Sequence, residues 1–375
     1  MENDAKRSRQ VDLNRYSTRN KKKKRRVGLI VTNVVASLVL VVSILSLSGL
    51  MVLNMSFRDQ SMGNVEGGIV NSLTDVVKST NENVTYFLIL GTDEKDTLTD
   101  VIMVGCFDHG NNALNILQIP RDTFIGTDIP SGKVNAVYGN ATKGESKIEF
   151  LIRRINAYFG LPIDHYVLVH LSAFRAVVDA VGGVDIDIPN RITVNDSGSR
   201  QEYTLGPGLT HLNGNQAEGF VRNRSGKGYG SGDMARVEAQ RRFYAAFAKK
   251  VMDMGMASMV RIVTSCYDQF KTDMTVGQLL GYAKEMKQVG LDNIKIYAVP
   301  GQGGYYTPPG MRQELSYFSI HKDDYVDLIN EHFLPYSPHI TESQLKIIEL
   351  HTSKTQSWIK GEEGFSSLVP STSGE

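Results

Sequence analysis

The sequence predicts an α/β fold: a central mixed sheet sandwiched by helices, preceded by a single N-terminal transmembrane helix. Three observations carry this. Strand-like apolar runs at residues 84–90, 101–107 and 113–119 are each closed by turn residues. Later segments repeat apolar residues at helical spacing and alternate with short strand-like runs. Ahead of all of these lies a long uncharged apolar stretch.

That stretch follows an unbroken basic run from Lys21 to Arg26 and carries no charge from residue 27 to 53. Its core, residues 34–53, is 20 residues long, enough to cross a hydrocarbon layer as a helix. Basic residues stay cytoplasmic, so the chain is expected to sit in the cell membrane as a single-pass protein, N-terminus inside and main domain extracellular. A cleaved signal peptide is the rival, because Ser46-Leu47-Ser48 offers small residues, but the apolar run continues past that site. The organisation expected is a basic leader (1–26), a span (27–53), a polar stem (54–83), a catalytic domain (84–340) and a tail (341–375), disordered from about 352 where Ser, Thr, Gly and Glu dominate.

Within the body, the short link at residues 109–112 predicts that the second and third strands form a hairpin. Residues 146–160 have a helical period, 165–170 read as a strand, 172–181 as a helix stopped by Gly182-Gly183, and 184–188 as a strand. Helices are expected at 236–254, 256–270, 275–288 and 321–333, and a late strand at 294–299. Gly301-Gln302-Gly303-Gly304 lacks the Lys-Ser/Thr of a phosphate-binding loop. Cys106 and Cys266 have no framework or metal spacing and read as buried, inert thiols.

Net charge is +1 for the whole chain, yet residues after 26 carry 30 basic against 37 acidic side chains. A body of net −7 argues against nucleic acid as a partner. Against that background, the arginines of residues 212–240 stand out. Arg222 and Arg224 flank Asn223 at the end of a short helix, and Asp233, Arg236 and Gln240 open the next one. Arg236 and Gln240 are four apart and share a helix face, while Arg222 and Arg224 point the same way in extended chain. Converging guanidinium groups hold phosphate or pyrophosphate well; the alternative is a set of solvated charges paired with Asp233, Glu238 and Glu218.

Two carboxylates, Asp93 and Asp100, bracket the loop after the first strand. They suit magnesium, which takes one or two carboxylates plus phosphate oxygens, but they equally suit turn formation. Arg121 and Asp122 lie just beyond a strand end, either facing a cleft or paired with each other. Lys133 adds a cation near a helix start. His165, His170 and His211 have no metal-ligand spacing and receive no role.

Eight short motifs occur in the order found in the LytR-CpsA-Psr family, which this sequence resembles over roughly residues 86–251. They are Phe87-Leu-Ile-Leu-Gly91-Thr-Asp93, Thr99-Asp100, Ile119-Pro-Arg121-Asp122, Lys133-Val-Asn135, Val181-Gly-Gly-Val-Asp185, His211-Leu-Asn-Gly214, Val221-Arg222-Asn-Arg224 and Gly232-Asp233-Met-Ala-Arg236. The resemblance implies an extracytoplasmic phosphotransferase that moves a glycopolymer, such as wall teichoic acid or capsular polysaccharide, from a polyprenyl-pyrophosphate carrier to a peptidoglycan hydroxyl. It further implies that Asp93 and Asp100 hold magnesium, or manganese in its place. Arg121, Lys133, Arg222, Arg224, Arg236 and Gln240 would grip the pyrophosphate, with Asp122 and Asp233 in support. Asp93 and Arg121 would be catalytic, Asp93 as the base. Three departures stand against the family pattern: Lys95 where an arginine is usual, a shorter segment from Asp93 to Asp100, and Ala239 where another arginine often falls. Those departures, at Lys95 and Ala239 above all, keep open a second reading, a non-catalytic envelope module that binds anionic glycopolymer or polyprenyl-phosphate lipid.

Overall fold

Alternating burial along the first strand explains the layering of the body. The structure is a computed structural model and describes residues 77–93, 95–195, 202–223, 233–307, 313–350, 355–356 and 362–369. In β1 (Val84–Thr92), Val84, Tyr86, Leu88 and Leu90 are buried on one face, while Phe87 and Ile89 pack on the other. A period of two puts successive side chains on opposite faces, so a strand with apolar residues on both needs cover on both.

The expected hairpin is present. β2 (Thr99–Asp108) and β3 (Ala113–Gln118) pair antiparallel, with Asp108 opposite Ala113. After α1 (Lys147–Phe159), β4 (His165–His170) joins β1 in parallel register, Thr92 opposite His170. α2 (Leu171–Ala180) leads to β5 (Val184–Ile188), β6 (Ile192–Asn195), β7 (Glu202–Leu205) and β8 (Gly208–Leu212). α3 (Gly214–Arg222), α4 (Asp233–Asp253), α5 (Met256–Cys266), β9 (Phe270–Thr272) and α6 (Val276–Val289) follow. The remainder is β10 (Ile294–Ala298), β11 (Gly301–Tyr306), β12 (Leu315–Ile320), α7 (Lys322–His332), β13 (Thr355–Gln356), β14 (Glu362–Gly364) and α8 (Phe365–Leu368).

Among the described residues the main sheet has seven strands in the order β14-β10-β3-β2-β1-β4-β9. It is mixed: β1–β4 and β3–β10 are parallel, and its other pairs antiparallel. One face packs against α1 and α7 through Leu151, Ile155, Phe159, Tyr325 and Ile329. The other packs against α4, α6 and α8 through Ala245, Tyr282, Met286 and Phe365. A separate cluster joins α2, α3 and α4 to the two-stranded β5–β8 and β6–β7 pairs.

Several elements differ from expectation. β6, β7, β8, β11 and β12 were not anticipated: Gly301, Gly303 and Gly304 weaken the local strand signal, and β11 forms because β12 and β13 pair with it. Residues 341–350, expected as the start of a tail, bury Leu345, Ile347 and Leu350 against the body. Part of the segment expected to be disordered forms β14 and α8, where burial of Phe365 and pairing with β10 offset the cost of ordering. Gly160 ends α1 at φ 66, and an added Cβ there would collide with Leu345 and Ile340. The glycine therefore serves both the helix cap and the seating of the C-terminal segment.

No helix among the described residues is long and apolar enough to cross a membrane. The expected leader and span, and the stem up to residue 76, lie outside the described residues.

Candidate active site

Strand ends and one helix face converge on a cavity of about 550 Å³. Its polar wall includes Asp93, Asp100, Arg121, His170, Arg222, Arg236 and Gln240; apolar residues such as Leu90, Val101, Phe174 and Val221 line much of the rest. A second cavity, about 260 Å³ and almost wholly apolar, lies among β4, α2, α4, α5 and α6, with Val177, Phe247 and Ile262 in its wall.

The helix-face argument for Arg236 and Gln240 holds. Both are buried in the cavity wall, and Tyr244, one further turn along α4, lines it too. Burial pushes the Tyr244 phenol well above its ordinary range, with Arg236 opposing the shift, so Tyr244 stays neutral. Ala239 points elsewhere, into the apolar cluster shared with β5 and β6.

Arg222 reaches the cavity from a helix rather than from extended chain. Asn213 and Gln216 form a capping box at the start of α3, and Arg222 closes its last turn. Glu218, buried at 2% exposure, accepts from Arg222 Nη1 at 2.6 Å and also from Arg175 of α2. A buried carboxylate thus fixes the Arg222 guanidinium group. Arg224 lies outside the described residues, as does the Asp233 side chain.

Elsewhere in the cavity wall, Arg121 Nη1 donates to Asp100 Oδ1 at 2.6 Å. Asp122 Oδ2 stands 3.9 Å from Arg121 Nε, and its Oδ1 accepts from Lys133 Nζ at 2.9 Å. Lys133, stacked 5.3 Å from the Tyr317 ring centroid, is therefore not part of the cavity wall; it touches the site through Asp122 and Arg121.

Asp93 opens a tight loop. Its carboxylate accepts from Thr97 N and Leu98 N and from Thr97 Oγ1, at 2.8, 3.2 and 2.9 Å. Burial pushes this carboxyl up, but those hydrogen bonds outweigh it, and Asp93 lies below the usual carboxylate range. Turn formation is thus realised at Asp93, while Asp93 and Asp100 both line the cavity. Lys95 is exposed and lies off the cavity wall.

His170, assigned no role from spacing, borders the cavity and shares a 2.9 Å hydrogen bond between Nδ1 and Thr92 Oγ1. The signal that would have found it is the parallel register of β1 and β4, which places it opposite Thr92, next to Asp93. His165 and His211 instead pair with Asp273 and Asp185.

Among the described residues no group of three or more His, Cys, Asp or Glu side chains forms a metal cage. Two carboxylates on one cavity wall still suit magnesium, which needs one or two of them when phosphate oxygens and water complete its shell. One hydrogen bond to Arg121 leaves Asp100 with lone pairs to spare.

The fold and site together define an α/β protein whose cavity wall combines arginines, two carboxylates and apolar side chains. The chain belongs to the LytR_cpsA_psr family, matched over residues 57–333. Among its relatives is the polyisoprenyl-teichoic acid–peptidoglycan teichoic acid transferase TagU of Bacillus mycoides, 29% identical over 258 residues, covering 64% of this chain and 80% of that protein. TagV of Bacillus subtilis, a transferase of the same name, is 23% identical over 275 residues, 68% of each chain. The crystal structure of B. subtilis TagV shares the fold, with a TM-score of 0.57 at 24% identity over 69% of this chain and 100% of that one. The protein gbs0355 of Streptococcus agalactiae superposes with a TM-score of 0.55 at 18% identity, over 74% of this chain and 92% of that one.

Proposed function

We propose that this protein transfers a glycopolymer from a polyprenyl-pyrophosphate carrier to peptidoglycan, creating a phosphodiester link. The observation that carries the reading is the single cavity that brings Arg121, Arg222, Arg236 and Gln240 together with two carboxylates and apolar walls. Family membership and the transferase names of its relatives agree with it.

In this reading the guanidinium groups hold the pyrophosphate oxygens and spread the charge that develops during phosphoryl transfer. An acceptor sugar hydroxyl attacks the phosphorus attached to the glycopolymer. The bond from that phosphorus to the bridging oxygen breaks, and polyprenyl phosphate leaves with the electron pair. Asp93 takes the hydroxyl proton. Asp93 and Asp100 would hold magnesium, or manganese, which supplies further neutralisation of phosphate charge when bound. Apolar walls, including those of the second cavity, suit the isoprenoid chain. The protein works at the cell membrane, anchored by residues 27–53 with its N-terminus cytoplasmic and its main domain outside; the uncharged stretch behind Lys21 to Arg26 supports this.

Purified full-length chain, given a short-chain lipid-pyrophosphate-glycan donor and a peptidoglycan oligomer with magnesium or chelator, tests the proposal. The expected result is magnesium-dependent appearance of phosphodiester-linked glycan on the acceptor. A donor that binds but stays intact across several polymers would instead mark a binding module.

A further inference from the structure

The family match stops at residue 333, yet the chain beyond it returns to the site. β14 pairs with β10 at the sheet edge, Glu363 opposite Ile296, and α8 buries Phe365 beside it. From Glu363 a line of side chains runs inward. Arg241 Nη1 donates to Glu363 Oε2 at 3.0 Å, and Arg241 Nε donates to Gln118 Oε1 at 3.3 Å. Gln118 Nε2 donates to Gln240 Oε1 at 3.2 Å, and Gln240 Nε2 donates to the Val221 carbonyl at 3.2 Å. Arg241 is 1% exposed, Gln118 6% and Gln240 8%, so the middle of this line is largely shielded from solvent, while its Glu363 end is part-exposed. Its far end, Gln240 and Val221, is cavity wall.

Hydrogen-bond polarity gives the line a direction. A guanidinium group only donates, so Gln118 must turn its oxygen toward Arg241 and its NH₂ toward Gln240. Gln240 must then accept with its oxygen, which aims its NH₂ at Val221 and leaves one N–H for the cavity. Reversing either amide would set donor against donor or acceptor against acceptor. The line depends on Arg241 staying in place, and a buried cation stays only with a counter-charge. Glu363 supplies it. Burial lowers the Arg241 pKa while Glu363 opposes that shift, in keeping with this role.

We infer that Glu363 is a positioning residue for the anion-binding cavity: through Arg241 and Gln118 it holds Gln240 with an amide N–H presented to the ligand phosphate. This rests on the pyrophosphate reading of the cavity given above. A purely structural β14 would close the sheet edge and influence stability without influencing Gln240.

Calorimetric binding of inorganic pyrophosphate to the full-length chain separates these roles. Glu363→Ala is expected to weaken binding about tenfold, the scale of one charge-assisted hydrogen bond, and Glu363→Gln, which still offers Arg241 an oxygen, to recover most of it. Added to Gln240→Ala, Glu363→Ala should weaken binding little further, because both act through one group. Gln118→Met cuts the line while leaving the Arg241–Glu363 pair, and should reproduce the tenfold loss even where Glu363→Ala folds poorly. Wild-type binding by Gln118→Met, or full additivity of Glu363→Ala and Gln240→Ala, overturns the inference. Arg236→Ala serves as the control on the site. If it binds pyrophosphate as the wild type does, the anion-site reading fails and the positioning role falls with it; if only the Glu363 and Gln118 variants are neutral, the site stands without the line.

Discussion

Arg121 and Asp100 meet at 2.6 Å in the cavity wall, tying the residue after Pro120 to the start of β2. The bond fixes the Arg121 guanidinium in the cavity wall, where the proposed function has it hold a phosphate, and partly neutralises the Asp100 charge. Arg121→Ala should lower transfer at least about 100-fold, the scale of one lost charge-stabilising donor in a phosphoryl or acyl transfer site. Arg121→Lys should recover little, since an ammonium cannot bond two oxygens in the plane of a guanidinium. Steady-state transfer rates with a common donor check both; near-normal rates would remove Arg121 from the site.

Gly139 lies against the loop that carries Asp93. A Cβ added there would run into the carbonyl of Thr97, whose own N–H and hydroxyl bind the Asp93 carboxylate. Gly139→Ala should displace that loop, cost about 1–3 kcal/mol of stability and depress transfer more than a remote variant of equal stability. Thermal midpoints paired with transfer rates test this.

The depressed Asp93 pKa also predicts a pH dependence. An acid whose folded pKa is below its unfolded value stabilises the fold fully above the unfolded value, here near 3.8, and loses that contribution as pH falls through the folded one. Wild type should therefore exceed Asp93→Asn in stability above about pH 4, and the gap should close on acidification below it. Urea unfolding of both proteins from pH 3 to 7 would reveal a constant gap if the reasoning fails.

Both cysteines are free and buried, and burial pushes the Cys106 thiol up to about 12. Only the thiolate reacts, so iodoacetamide should leave Cys106 untouched in the native protein at pH 8 and label it after denaturation. Mass spectrometry of the two samples gives the answer, and rapid native labelling would contradict the burial described.

The sequence by itself determined what depends on near neighbours. Apolar runs closed by turn residues marked β1, β2 and β3, the link at 109–112 marked the β2–β3 hairpin, and a spacing of four put Arg236 and Gln240 on one face of α4. Ordered motifs pointed to the family and to most of the cavity wall. Only the tertiary structure decided which charges meet. Lys133 and Arg121 look equivalent in the sequence, but the fold gives Lys133 to Asp122 and leaves Arg121 on the cavity wall beside Asp100. His170 carries no local signal and enters the cavity because β4 lies parallel to β1, while β14 is too short and polar to be read as a strand until β10 offers it an edge. Periodicity reports on the few residues within reach of one turn or one pleat. Ion pairing, parallel register and edge pairing act between groups far apart in the chain, and they are settled only when the sheet closes and fixes which side chains share a desolvated space.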